Sequence, residues 1–186
     1  MDSENQRIQV FYSHGDLLHQ WGTLGNLPGQ FYDPDGIAVD SENSVYVVDT
    51  SNHRVQKFTR QGTWLASLGS KGYGDGQFFY PVDIAIARGR GEGGKDALYV
   101  TDCDNHRVQV WSSDGTYERS WGSRGSGAGQ FQGPAGIALD RSGYIYVADR
   151  HNHRVQKFDA DGNFILAWGS KGGRGRSVSR AARCCY

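Results

Sequence analysis

The chain has 186 residues, of which 37% are hydrophobic and 27 are glycine, and its formal net charge is zero. That composition suits many short strands joined by tight turns; no stretch has the apolar length of a membrane span, and the polar opening of residues 1–7 does not read as a signal peptide, so a cytoplasmic location is expected. The charge is uneven, because residues 171–186 hold Lys171, Arg174, Arg176, Arg180 and Arg183 without an acid, which leaves the other 170 residues with 15 basic against 20 acidic side chains. A body charge of −5 argues against a broad nucleic-acid footprint.

The opening segment, residues 2–11, reads Asp-Ser-Glu-Asn-Gln-Arg-Ile-Gln-Val-Phe, and its frame returns at 49–58, 102–111 and 149–158. The three later copies share Asp49, Asn52 and Arg54, then Asp102, Asn105 and Arg107, then Asp149, Asn152 and Arg154; Gln6 stands where they carry His53, His106 and His153. Arg7, Arg54, Arg107 and Arg154 are separated by 47, 53 and 47 residues, the longer interval reflecting an insertion within 84–98. Gly-Gln-Phe begins at Gly29, Gly76 and Gly129, a proline follows at Pro34, Pro81 and Pro134, and Gly22, Gly69, Gly122 and Gly169 close the units. A fixed period of this size marks a repeat architecture.

Within a unit the apolar pattern alternates with period two, which predicts strands at 36–40, 45–48, 54–58 and 64–68, joined by turns at 41–44 and around Gly62. If these are strands a to d, the chain begins at c (8–11) and d (17–21) and ends at d (164–168). The predicted fold is all-β: a partial β-propeller of about three and a half four-stranded antiparallel blades, with a half blade over 2–22, repeats over about 29–69, 76–122 and 129–169, and a basic disordered tail over 171–186. No segment has the 3.6-residue period of a helical solenoid.

The recurring pattern Gly-Gln-Phe, Pro-x-Gly-Ile-Ala-Val-Asp, Val-Tyr-Val-x-Asp-x-x-Asn-His-Arg-Val-Gln-Lys-Phe resembles NHL repeats over residues 2 to about 170, and is similar to the repeat region of tripartite-motif proteins. The resemblance implies an NHL-type propeller, usually of six blades, which would need about 280 residues and so makes this chain a fragment or a truncated product. Its exposed edges imply self-association. The family further implies a substrate- or partner-recognition role within a ubiquitin ligase, although the chain lacks the cysteine and histidine spacing of a RING or B-box.

The Asp-x-x-Asn-His-Arg loop reads as scaffold: the aspartates can accept loop amides, the arginines can pair with them through a planar fork, and the asparagines suit left-handed turn positions. Zinc on the three histidines is disfavoured because equivalent positions on adjacent blades lie apart, so no metal and no cofactor are expected. Three cysteines, two of them adjacent at Cys184 and Cys185, give no disulfide framework, and Cys103 reads as a small buried thiol. No nucleophile or phosphate-binding motif occurs, so the chain is not expected to be an enzyme.

Positions that differ between copies carry the functional reading. They follow each repeat aspartate or precede strand a, and in propellers of this type those loops share one face. Tyr73, Tyr80, Asp83, Arg124, Arg150 and His151 are the candidate partner-binding residues, Asp83 standing where other units have Gly36 and Gly136. The insertion at 88–95 is expected to be a flexible loop on the opposite face. The leading expectation is a non-catalytic module that presents these loops to a protein partner; the alternatives are single-stranded RNA binding on the same face and, more distantly, a zinc-dependent enzyme similar to an amidating lyase of propeller fold.

Overall fold

The computed structural model describes residues 1–172, and the tail expected over 171–186 lies outside them beyond that point. A half-blade of β1 (Ile8–Phe11) and β2 (Leu17–Trp21) precedes three four-stranded blades. Blade one is β3 (Pro34–Val39), β4 (Val45–Asp49), β5 (Arg54–Phe58) and β6 (Trp64–Leu68). Blade two is β7 (Pro81–Ala87), β8 (Ala97–Asp102), β9 (Arg107–Ser112) and β10 (Tyr117–Trp121); blade three is β11 (Pro134–Leu139), β12 (Ile145–Asp149), β13 (Arg154–Phe158) and β14 (Phe164–Trp168). Each sheet is antiparallel in chain order, and β3, β7 and β11 meet around the axis. The fold is the all-β partial propeller expected from the period. No helix among the described residues is long and apolar enough to cross a membrane.

The inner strands start earlier than the apolar runs suggest. Pro34 pairs with Asp49, and a bulge then shifts the register so that Ile37 faces Val47; the other two blades repeat this. Proline has no N–H to offer a ladder and is accommodated at such a strand start.

Apolar side chains sit in the seams between blades, because a sheet one strand thick can bury a face only against a neighbour. Phe31, Val45, Val47 and Phe58 meet Ile8 and Trp21 of the half-blade. Tyr46, Val48, Val55 and Leu68 of blade one meet Phe78, Leu98 and Trp111 of blade two, and a matching set closes the seam to blade three. Where the half-blade lacks two inner strands, Ile8, Val10, Phe11, Trp21, Ile37 and Val39 line an open groove of about 330 Å³.

The repeat motif is an internal brace. Asp49 is fully buried, and its carboxylate accepts from Tyr32 N–H (2.8 Å), Asn52 Nδ2 (3.0 Å), Arg54 Nε (2.7 Å) and Gln56 Nε2 (3.0 Å). Asp102 and Asp149 have the same set of donors. The asparagines do not occupy the left-handed position; His53, His106 and His153 do, at φ near 55°. Asn52 instead spans Asp49 and the Gly25 carbonyl, tying the b–c loop to the lead of its own blade.

Cys103 is fully buried, as expected. The 88–95 insertion contains a short 3-10 helix (Glu92–Gly94) and is held by Asp96 Oδ1, which accepts from Gly89 N–H at 2.8 Å, and by Glu118, which accepts from Glu92 N–H at 2.7 Å.

Candidate functional site

The b–c and d–a loops lie together: Ser51 N–H donates to Tyr32 O (3.0 Å), Asp104 N–H to Phe79 O (3.1 Å) and His151 N–H to Gln132 O (3.0 Å). This face therefore gathers the variable positions, but it gathers them by seam.

At the seam of blades one and two stands a stack of three rings. His53 is 5% exposed, Phe79 lies parallel to it at 5.2 Å and 11°, and Tyr73 lies on Phe79 at 5.1 Å and 27°. Tyr73 ends the stack in solvent, 72% exposed, and the Lys71 ammonium sits 5.5 Å from the Phe79 centroid. Tyr80 meets His53 edge-on at 4.5 Å, and its backbone N–H donates to His53 Nδ1 at 3.0 Å. Burial, reinforced by the Lys71 charge and opposed by Asp102 and Asp49, holds the imidazole below its ordinary pKa, so a neutral ring accepts that bond. Tyr80 has φ of +52°, a region whose counterpart in blade three is filled by Gly133. A bulky residue held there costs about 1–2 kcal/mol, and such strain clusters at functional sites.

At the seam of blades two and three the face is basic. Arg124 and His151 are exposed, and His151 packs its ring edge against Gly133. His106 Nδ1 accepts from Gly133 N–H at 3.3 Å, and burial followed by Arg124 lowers its pKa. Burial raises the Asp104 carboxyl, against the lowering pull of His106 and His151. Arg150 joins this loop through its backbone N–H to Gly133 O, 3.3 Å.

Asp83 stands apart from both groups. Its carboxylate accepts from Ile84 N–H (2.9 Å) and, across the seam, from Ile137 N–H (3.0 Å), so it braces inner strands β7 and β11; burial raises its pKa against those two amides. Thus Tyr73 and Tyr80 are together, Arg124, Arg150 and His151 are together, and Asp83 is in the axial lining. Phe79, one of the variable positions before strand a, belongs to the aromatic site with Lys71 and His53, although none of the three was among the residues singled out from the sequence for partner contact. The signal available was the 27-residue offset from each motif histidine to the following lead, His53 to Tyr80 and His106 to Gly133, matched by Gln6 to Asp33, whose N–H donates to Gln6 Oε1 at 2.7 Å. Among the described residues no three histidine, cysteine or carboxylate side chains are grouped to hold a metal ion.

Residues 31–58 and 131–158, which hold these braces in blades one and three, match the family model for the NHL repeat. The chain belongs to the NHL repeat family. It is 33% identical over 126 residues to Protein brain tumor of Drosophila melanogaster, an alignment covering 68% of this chain and 11% of that protein. Among solved structures it resembles streptogramin B lyase (TM-score 0.66, 16% identity, 92% of this chain and 50% of the other). It also resembles a catalytically inactive virginiamycin B lyase from Staphylococcus aureus with quinupristin (TM-score 0.66, 14% identity, 93% and 52%). An auxiliary nutrient binding protein from Bacteroides thetaiotaomicron matches at TM-score 0.63 and 17% identity, over 82% and 42%. At these identities the structural likeness concerns the propeller alone. The NHL chain spans about half the length of the structures it matches and about a tenth of the Drosophila protein.

Proposed function

We propose that this NHL chain is a non-catalytic interaction module that holds a protein partner on its loop face. The observation that carries the reading is the Tyr73–Phe79–His53 stack: an exposed aromatic end mounted on a half-buried and a buried ring loses little side-chain freedom on binding. Arg124 at the next seam supplies a positive charge, so an acidic peptide segment carrying an aromatic or apolar anchor is the ligand chemistry that fits. In a longer protein that also carries ligase machinery, this face would serve substrate recognition.

A second reading, single-stranded RNA, draws on the same stack, since Tyr73 and Phe79 with Lys71 beside them also suit a nucleobase. The −5 charge of the body weighs against it.

Panning a random peptide library on the full chain separates these readings. Peptides that lose about tenfold or more in affinity with Tyr73→Ala and with Arg124→Glu support a protein-binding face. Enriched peptides indifferent to both changes would sink it, and salt-sensitive binding of a labelled oligouridine that Tyr73→Ala abolishes would put RNA first.

A further inference from the structure

The insertion in blade two is the part of the chain that the proposed binding role leaves unused. It joins β7 to β8 at the end of the sheet opposite the loop face, and residues 88–95 read Arg-Gly-Arg-Gly-Glu-Gly-Gly-Lys. Its backbone is tied on the inner side: Gly89 N–H donates to Asp96 Oδ1 (2.8 Å), Gly91 N–H to Lys95 O (2.7 Å) and Glu92 N–H to Glu118 Oε1 (2.7 Å). On the outer side it is open. Arg88, Gly89 and Arg90 are exposed, and nothing lies within 4 Å of a Cβ built on Gly93 or Gly94. The segment therefore follows a fixed course while holding its side chains in solvent.

The arginines of the chain divide by what their N–H groups do. Arg7, Arg54, Arg107 and Arg154 hold aspartates at 2.7–2.8 Å, and Arg119 donates to Ala160 O at 2.7 Å. Arg88 and Arg90 have no ion-pair or hydrogen-bond partner among the described residues, and Asp96 attracts Arg88 only at longer range. Arg90 rests on blade three: a Cβ built on Gly143 would stand 2.8 Å from its Cζ, 3.0 Å from Nη2 and 3.1 Å from Nη1. Such near-equal distances lay the guanidinium flat over that turn, a contact that occupies one face and spends no N–H. Among the described arginines Arg90 alone has glycine on both sides; Arg60, Arg124 and Arg141 each adjoin at least one larger side chain.

We propose that residues 88–91 are a methylation site, with Arg90 the main acceptor and Arg88 the lesser one, for an arginine methyltransferase that uses S-adenosylmethionine. The guanidinium must enter a narrow pocket and meet the donor methyl in line, which calls for an arginine with no bulk beside it on the backbone and no bond to surrender. Nη attacks the sulfonium methyl carbon, the C–S bond breaks with its electron pair left on the sulfur as a thioether, and the Nη proton passes to a carboxylate of the enzyme. The guanidinium keeps its charge but loses a donor, so it can no longer grip a carboxylate or phosphate through both arms of its fork. Modification would thus alter what this end of blade two can hold without changing the net charge. It lies opposite the loop face and stands independently of the proposed binding role.

The test is to incubate the folded 186-residue chain with S-adenosylmethionine labelled in its methyl group and a methyltransferase active on Arg-Gly peptides, then to map the label by peptide mass spectrometry. A Gly-Arg-Gly reference peptide in the same tube shows that the enzyme is working. Label is expected within 88–95 and not on Arg54, Arg107 or Arg154; Arg90→Lys is expected to lose most of the label in that segment, and Arg88→Lys the smaller part. Label confined to Arg174 and Arg176, or reaching 88–95 only after the chain is unfolded in urea, would overturn the proposal. So would a labelled reference peptide beside an unlabelled chain, or an Arg90→Lys variant labelled in this segment as fully as the wild type.

Discussion

Asp102→Asn isolates what the repeat motif contributes, because one amide then replaces one oxygen with no change of shape. The Asp102 side chain is 0% exposed, and its Oδ2 accepts from Asn105 Nδ2 (2.8 Å), Arg107 Nε (2.8 Å) and Gln109 Nε2 (2.9 Å), while Oδ1 accepts from Phe79 N–H (2.8 Å). An asparagine can keep the Phe79 bond only by turning its own NH2 toward three donors. Breaking one side of a buried ion pair costs about 3–5 kcal/mol. The Arg107 side chain retains 12% exposure, and its Nη2 keeps the Gly74 and Gln77 carbonyls, so the low end applies. About 3 kcal/mol in a chain of this size corresponds to a fall in Tm of about 6–12 °C. Asp2→Asn is the control: it breaks the same Arg7 Nε contact, 2.7 Å long, where the two side chains are 34% and 24% exposed, and no measurable change of Tm is expected. Thermal melts followed by far-ultraviolet circular dichroism at one fixed concentration provide the measurement. Equal losses for the two variants, or a melt for Asp102→Asn within about 2 °C of wild type, would refute the reasoning that burial sets the value of the motif.

Stability should fall on acidification from neutral pH. The folded pKa of His53 and of His106 lies below the ordinary 6.5, so as pH drops through about 6.5 the unfolded chain takes up protons that the folded seams refuse, and the loss grows until the lowered folded values are reached. His53→Gln, which copies Gln6, is expected to keep the bond from Tyr80 N–H and to flatten part of that slope in urea titrations at pH 8 and pH 5.5; an unchanged slope would count against the seam role of the ring. Gly36→Ala should destabilise by about 1–3 kcal/mol, as overpacking does, because its Cβ would stand 2.7 Å from Asp83 Cα, whereas Gly136→Ala, with its nearest neighbour at 3.8 Å, should melt like the wild type. Equal melts for the two alanine variants would mean that blades one and two shift apart freely at the axis.

Strand identity was legible wherever one face is buried, and β5 and β6 fall where the alternation places them, at Arg54–Phe58 and Trp64–Leu68. The start of β3 was not, because its first pairing, Pro34 with Asp49, precedes a bulge and leaves no apolar trace. The aspartate and arginine roles follow from charge and spacing within one unit. The histidine role does not, since the N–H it accepts belongs to the next blade; the exchange of His53 for Gln6 was the clue, the two side chains sharing an acceptor and little else. For the candidate site, repeat comparison brought out the variable loop positions, but stacking of Tyr73 on Phe79 on His53 depends on how two blades meet, and Asp83 became an axial brace through an amide 54 residues away.

The seam cores have a kinetic consequence. Each blade shares its apolar surface with its neighbours only, so opening one seam leaves the others intact, and the chain should come apart as a line of coupled units rather than all at once. The seam between the half-blade and blade one has a smaller main cluster than either of the other two seams and borders the open groove, which makes it the place where fraying starts. Trp21 lies in that seam, Trp111 in the next and Trp121 in the last, so the protein carries a separate fluorescent reporter at each joint.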